Sequence, residues 1–367
     1  MDKNLEVFKI SNYDKFKCTA DKCSFTCCGG WDIDVDEATY KKWESEGDNF
    51  EYILKNVKLR RGKNLTGYYI KKRTHKACPL LDEKGLCQIV NNHGEQYLSV
   101  TCHSFPRIEN NFKEIREFSL SCSCPEVVEL INNLNTKIGM ISKHNNKDFE
   151  NFSVQLKLRQ ALVKLCQKDD YLLGNRFIKC LEMLANLSNT KDKDSLNYEK
   201  YYFLLEQTEK FKNIDFYDYI EKVNNLFMDI TINYRNISGY RVYLNNIYDF
   251  AESIDLSNLM TKWYGYRKKL EKYSLLIENC VVSKIFNMCK SSHLEDIINE
   301  FQLIIIEFIL ITYALFLNYL MEGKVDNGAV KAYITVFSRI IGNNSEAVKE
   351  YFSDYEDDSI LYMSIFC

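Results

Sequence analysis

Nine of the fourteen cysteines in this 367-residue sequence lie in its first third, together with all three prolines. Thiolates are soft ligands that suit zinc, copper(I) and iron–sulfur clusters. Their density between Cys18 and Cys124 therefore predicts a metal centre built from sulfur. The cysteines of this stretch are Cys18, Cys23, Cys27, Cys28, Cys78, Cys87, Cys102, Cys122 and Cys124.

The amino terminus favours a metal centre over disulfide bonds. Residues 1–16 are charged throughout and lack the apolar segment of a signal peptide, so we expect a cytoplasmic protein. Thiols stay reduced in the cytosol, where a cysteine cluster more often binds metal or takes part in catalysis. An odd number of cysteines also fits poorly with a closed set of disulfide bonds.

The cysteine spacing favours iron and sulfur over zinc. Structural zinc sites usually draw ligands from closely spaced cysteine pairs, and no C-x2-C pair occurs in the chain. Iron–sulfur clusters accept irregular spacing from several loops. We expect only one of the adjacent Cys27 and Cys28 to bind a given iron. His75 and His103 are alternative ligands, with surface roles as the other possibility, and Gly30 stands where a radical-SAM triad needs cysteine.

Short elements must position these cysteines. Residues 31–35 alternate as in a strand, and Asp36 predicts the N-cap of a helix to about Lys55. Residues 55–76 hold nine Lys or Arg and no acid, which indicates either a solvated hairpin turning at 64–67 or a surface for an acidic partner. We favour the hairpin, because the run lacks the interleaved aromatic residues of a nucleic-acid groove, and the net charge of the whole chain is only −3.

After Pro125 no further proline occurs, and apolar residues recur at helical spacing. Polar breaks near 142–151, 186–198 and 342–346 predict connections within a bundle of seven to nine helices. The predicted fold class is therefore mainly α. An irregular cysteine-rich metal-binding module with short strands at 1–130 precedes an α-helical domain at 131–367.

Residues 301–321 are long and apolar enough to cross a membrane. Glu307 interrupts the segment, and a central carboxylate costs about 3 kcal/mol in membrane insertion. We therefore expect a buried core helix and no membrane span.

The text between the cysteines resembles one family, the flagellin lysine-N-methylases (FliB), which is related to proteins described as zinc- or iron-chelating. The resemblance covers residues 16–126 and rests on four segments. These are Phe16-Lys-Cys18 to Trp31-x-Ile33, Cys78-Pro-Leu-Leu81 to Cys87, Gly94-Glu95 to Phe105-Pro106-Arg107, and Ser119 to Cys124-Pro125-Glu126. Cys122 departs from the family pattern, which has a single cysteine before Pro-Glu.

The resemblance implies a cytoplasmic enzyme of the bacterial flagellum that methylates flagellin lysines with S-adenosyl-L-methionine. It also implies a cysteine-bound [4Fe-4S] cluster, either catalytic with three cysteines or structural with four, and zinc is the alternative metal. The rival hypothesis is a non-enzymatic chelating or redox-sensing module whose helical domain binds a protein. The metal ligands come from the set Cys18, Cys23, Cys27, Cys28, Cys78, Cys87, Cys102 and Cys124.

Polar residues inside the resembling segments are candidates for the methyl-transfer chemistry. Glu95, Tyr97 and Arg107 are the catalytic candidates, which orient the lysine amine or bind the donor. Trp31, Glu95 and Arg107 are the candidates for binding the cofactor. The alternative is structural, with Glu95 and Arg107 forming an ion pair that holds the loops.

Overall fold

The computed structural model describes residues 6–19, 22–23, 25–29, 31, 33–61, 66–71, 77–113, 115–142, 153–169, 172–189, 215–237 and 239–343, with positions 361 and 364. Helices dominate these ranges and strands are short, which confirms a mainly α protein. Position 30, His75 and residues 64–65 of the turn predicted at 64–67 lie outside the described residues, whereas Thr66 and Gly67 begin a strand.

Seven short strands within the described ranges form two separate sheets. The first sheet has the order β5-β6-β1-β7, with β1 parallel to β6 and antiparallel to β7. The second has the order β2-β4-β3 and is antiparallel, so the predicted hairpin is present as β3 and β4. The strands are β1 (Glu6–Ile10), β2 (Ile33–Val35), β3 (Val57–Arg61), β4 (Thr66–Ile70), β5 (Arg107–Asn111), β6 (Ile115–Leu120) and β7 (Met140–Ser142).

Short helices surround the second sheet. Asp36 caps the first of them as predicted, because its carboxylate accepts a hydrogen bond of 2.9 Å from the Thr39 amide. The predicted continuous helix to Lys55 is wrong, since a 3₁₀ turn at Gly47–Phe50 interrupts it and Gly47 adopts a φ of +65° that favours glycine. The helices of this part are α1 (Glu37–Ser45), α2 (Glu51–Leu54), α3 (Gln88–His93) and α4 (Val100–Ser104).

The remaining described helices form the predicted bundle. Pro125 occupies the first turn of α5, where its missing N–H costs nothing. Eight helices follow α5 in the described residues, within the predicted number of seven to nine. The bundle helices are thus α5 (Pro125–Asn132) and the eight that follow it, α6 (Val154–Cys166), α7 (Leu173–Asn189), α8 (Phe216–Thr231), α9 (Arg241–Ser253), α10 (Met260–Leu270), α11 (Ser274–Met288), α12 (Leu294–Glu322) and α13 (Asn327–Asn343).

Two main hydrophobic cores organise these elements. The smaller contains residues of the second sheet with α1, α2 and α3, and half-buried cysteines pack against it. The larger extends through the bundle and also takes in Ile10, Phe16 and Leu120 from the first third of the chain. The boundary predicted at residue 130 falls inside α5, so the cores do not divide there. The two-domain division stays a prediction.

Helix α12 lies at the centre of the larger core. It is long and apolar enough to cross a membrane, but 83% of its most apolar window is buried inside the protein. Glu307, on this helix, forms a buried ion pair with Lys284 of α11, and the Ser338 hydroxyl donates to its other oxygen at 2.8 Å. The packing is that of the core helix predicted from the sequence.

Candidate functional site

The first cysteine loop and the segment at Cys78 are joined backbone to backbone. Gly29 and Ala77 form a β-bridge, and the Cys78 amide donates a hydrogen bond of 2.8 Å to the Cys28 carbonyl. The Sγ atoms of Cys27 and Cys28 lie 4.0 Å apart. Two segments fifty residues apart in sequence therefore present their cysteines side by side.

A tight loop returns Cys87 towards Cys78. Leu81 and Cys87 form a β-bridge, and Asp82 closes the loop by accepting hydrogen bonds from the Lys84 and Leu86 amides at 2.9 and 2.8 Å. Gly85 has a φ of +78°. Asp and Gly are the residues that such a turn requires, so the local sequence itself fixes this loop.

Helix α4 brings in a further cysteine, Cys102. The buried Ser99 caps this helix, and its hydroxyl accepts a hydrogen bond of 3.3 Å from the Cys102 amide. Asp36, the cap of α1, also accepts a hydrogen bond of 3.0 Å from the Val100 amide. One carboxylate thus holds the start of both helices.

Five cysteines interact electrostatically, and we call them the cysteine centre: Cys27, Cys28, Cys78, Cys87 and Cys102. The hydrogen bond between Cys28 and Cys27, burial and nearby thiols raise the pKa of Cys28. Burial, with smaller repulsion from Cys78, Cys27 and Cys87, raises the pKa of Cys102 to about 12. Thiolates here destabilise one another, so a bound cation would stabilise them.

Cys23 links this group to a further predicted ligand, because it interacts with both Cys27 and Cys124. Burial raises the pKa of Cys124, at the start of α5, to about 12. Cys18 is exposed. Cys122 points into the larger core, where its thiol lies 3.9 Å from the Cys280 carbonyl.

Arg339 of α13 connects the cysteine loop to the bundle, and no sequence pattern that we used identified it. Its buried guanidinium donates to the carbonyls of Thr26, Phe25 and Ser123 at 2.7, 3.0 and 2.7 Å. It also lies 3.9 Å from the centre of the Phe25 ring. The signal that could have identified Arg339 is the presence of a charged residue within the largely apolar run Val336–Ile341.

The predicted catalytic and cofactor-binding residues are spread around the cysteine centre. The indole of Trp31 donates a hydrogen bond of 3.0 Å to the Cys27 carbonyl and packs on Phe105. Arg107 is exposed and lies over the Phe16 ring. Among the described contacts, no ion pair joins Arg107 to the exposed Glu95, so the structural alternative is not supported.

Tyr97 is held to α1 rather than presented to an open cavity. Its hydroxyl donates a hydrogen bond of 2.8 Å to Glu46, and the Lys42 ammonium lies 4.0 Å from its ring centre. The hydrogen bond to Glu46 raises the pKa of Tyr97, so the phenol stays protonated at neutral pH. This geometry suits a donor and does not suit a base.

The types of side chain near the cysteine centre indicate which metal group could bind there. Within the described ranges, no three His, Cys, Asp or Glu side chains converge closely enough to hold a single metal ion. The five thiols of the cysteine centre come from the loop at 27–28, the loop at 78–87 and helix α4, and thiolate is the ligand type that binds iron–sulfur clusters. His103, the alternative ligand on α4, is exposed.

Most of the chain matches one known protein family. Residues 111–366 match the family model described as the FliB lysine N-methylase C-terminal domain. This match covers the bundle and strands β6 and β7 of the first sheet. It overlaps the sequence resemblance at 16–126 only over residues 111–126. No solved structure matches the chain.

Curated relatives match a shorter stretch of 134 residues, which is 36% of this chain. The flagellar biosynthetic protein FliU of Salmonella muenchen is 34% identical there, over 79% of its own length. The lysine-N-methylases of Salmonella typhimurium and Salmonella choleraesuis are 32% identical, each over 33% of its length. The alignment therefore spans about a third of each lysine-N-methylase.

Proposed function

The chain belongs to the FliB lysine N-methylase family, and on this basis we propose that it is a protein lysine methyltransferase acting on flagellin. The family match over residues 111–366 is the observation that carries the proposal. We further propose that the methyl donor is S-adenosyl-L-methionine and that the reaction takes place in the cytoplasm.

The same proposal assigns a [4Fe-4S] cluster to the cysteine centre. Four of its five thiols would hold the cluster, and Cys27, the exposed member, is the one most easily left over. Such a cluster, when bound, supplies a redox-active group or a Lewis-acidic iron. The half-buried Cys28, Cys87 and Cys102 pack against the smaller core, which excludes water from one side of the centre.

The chain must also prepare the substrate amine. A lysine amine has a pKa near 10.4, so forming the neutral nucleophile at pH 7 costs about 4.6 kcal/mol. We propose that the exposed carboxylate of Glu95 attracts the ammonium form, while the Tyr97 hydroxyl and Arg107 help to hold the protein substrate. Trp31, beside Cys27, supplies an aromatic face for an approaching cation.

Methyl transfer can be measured directly. Anaerobically reconstituted protein is incubated with purified flagellin and S-adenosyl-L-methionine, and the intact mass of flagellin is recorded. We expect mass increments of whole methyl groups on lysines, and none when the donor is omitted. Unchanged flagellin, despite a full iron and sulfide content, would favour the rival chelating or redox-sensing function.

A Cys102→Ser variant separates the role of the cysteine centre from the activity itself. Cys102 is largely buried among the other thiols, and serine is of similar size but is a poor ligand for soft metals. We expect loss of both iron and methyl transfer. Full activity without iron would exclude a catalytic role for the cluster but would still support the assignment as a methyltransferase.

A further inference from the structure

A cavity of about 400 Å³ lies where the bundle meets the segment before Cys124. Its walls include Ser121–Ser123, Lys284 of α11 and Ser338 of α13. The exposed Lys290 and half-buried Glu300 mark the end that opens to solvent. The volume is within the range of small-molecule and cofactor sites.

The inner end of this cavity presents an unusual buried cation. The ammonium of Lys284 is buried and donates to Glu307, its one hydrogen-bond acceptor among the residues that the structure describes. An ammonium has three N–H donors, so two are available to the cavity. Both oxygens of Glu307 are already engaged, by Lys284 and by Ser338.

This arrangement selects the chemistry of a ligand. Two available donors on a cation favour a carboxylate, and the Glu300 carboxylate near the mouth favours a positive charge. A lysine side chain would bring its own ammonium against Lys284, so the protein substrate fits this inner end poorly. A ligand whose carboxylate and positive charge are several bonds apart fits both ends, and the methionine part of S-adenosyl-L-methionine, with a carboxylate at one end and a sulfonium at the other, is of this kind.

We propose that this cavity binds the amino-acid end of the methyl donor, with its carboxylate on Lys284. The inference rests on the proposed function, which supplies S-adenosyl-L-methionine as the donor. The cavity reaches the Ser121–Ser123 segment, directly before Cys124, so the donor would bind beside one of the segments that carry the family resemblance. None of Trp31, Glu95 and Arg107 lines the cavity, which leaves them for the protein substrate.

Two independent changes test the site. The double variant Lys284→Met/Glu307→Gln removes both charges together and so avoids leaving one buried charge unpaired. Gly342→Leu instead adds a bulky side chain at a residue that lines the cavity, where a Cβ meets nothing within 4 Å and so creates no clash. If the double variant fails to fold, Gly342→Leu alone decides.

A second cavity provides the control. It has a similar volume of about 420 Å³ and also contains a largely buried ion pair, between Arg176 and Glu278. The variant Arg176→Met/Glu278→Gln therefore also removes a largely buried pair of opposite charges, leaves Lys137 with its second partner Asp169, and leaves the proposed donor site intact.

The experiment is isothermal titration of S-adenosylhomocysteine into the full-length, metal-loaded protein. We expect binding to the unchanged protein and to the control variant, and about tenfold or greater weakening in both cavity variants. Equal affinity in all four proteins would overturn the donor site while leaving the donor itself in place. No binding to the unchanged protein would overturn the inference together with the donor assigned in the proposed function.

Discussion

Among the described residues, two of the sets of close cysteines differ in what surrounds them. In the cysteine centre, Cys27 and Cys28 lie 4.0 Å apart on a turn. In the bundle, Cys166 and Cys180 are also 4.0 Å apart, but both are fully buried on helices α6 and α7. Proximity of sulfur atoms alone therefore does not identify a metal site.

The difference lies in how each set is positioned. Polar caps hold the loops of the cysteine centre, namely Asp36, Asp82 and Ser99. The bundle cysteines lie within the packing of apolar helix faces, with Cys289 near the pair. Loops fixed by hydrogen bonds can present thiols to a ligand, whereas buried cysteines on helices behave as small apolar residues.

Substituting one cysteine from each set should give the largest contrast. Cys28→Ser removes a thiol that interacts with three others, so we expect loss of bound iron and at least about a 100-fold loss of methyl transfer. Cys180→Ser changes a buried packing residue and should leave iron content and activity near those of the unchanged protein. Iron and sulfide analysis with the flagellin mass assay measures both.

The opposite result would be informative. If Cys180→Ser released the iron and Cys28→Ser retained it, the assignment of the two sets would be reversed. Equal loss in both variants would indicate general unfolding, which far-ultraviolet circular dichroism distinguishes.

Arg339 joins the two regions, and its loss should have the next largest effect. Arg339→Met leaves three carbonyls without their buried donor, so we expect the free energy of unfolding to fall by about 3 kcal/mol. Urea unfolding measures this value. Hydrogen exchange at residues 25–28 should also become faster.

Arg235 is the matched control for Arg339. Like Arg339, it lies over an aromatic ring. It donates hydrogen bonds to the side-chain oxygens of Asn245 and Asp249, which both belong to the bundle. We expect Arg235→Met to cost about 1 kcal/mol and to leave exchange at 25–28 unchanged. A loop that exchanges equally fast in both variants would contradict the connecting role of Arg339.

Local features of the fold were predictable from the sequence. The Asp36 cap, the β3–β4 hairpin and the core helix α12 each depend on neighbouring residues or on a continuous apolar run. The parallel pairing of β1 with β6 was not predictable, because it joins Glu6 to Ile115 through long-range packing. Gly47 shows a different limit. The surrounding pattern favoured a continuous helix, but the positive φ at this glycine interrupts it.

The sequence identified the candidate residues by type but not their contacts with the bundle. It put Cys18, Cys23 and Cys124 in one ligand set with the cysteine centre, and this set stays a prediction. In the folded chain Cys23 interacts with both Cys27 and Cys124, and Arg339, more than two hundred residues later, interacts with Cys23 and Cys124. Contacts of this kind arise from tertiary packing, for which spacing carries no information.

The smallest predicted effect concerns two helix caps. Asp36 caps α1 and also holds the start of α4, while Asp215 caps α8 in the bundle. Asp36→Ala and Asp215→Ala should each lower the free energy of unfolding by about 1 kcal/mol. Only Asp36→Ala should also weaken iron retention, because only Asp36 positions the helix that carries Cys102.

The effect of Asp36→Ala on the free energy of unfolding should depend on pH. Burial opposes ionisation of Asp36, but hydrogen bonds from the Val100 and Thr39 amides outweigh it and lower the carboxyl pKa. The stabilisation is therefore present above the unfolded pKa of about 3.9 and is lost as the pH falls through the folded value. Urea titrations at pH 7 and pH 3 should show the difference between variant and unchanged protein shrinking in acid. A difference that grew in acid would show that the neutral carboxyl, not the carboxylate, holds α4.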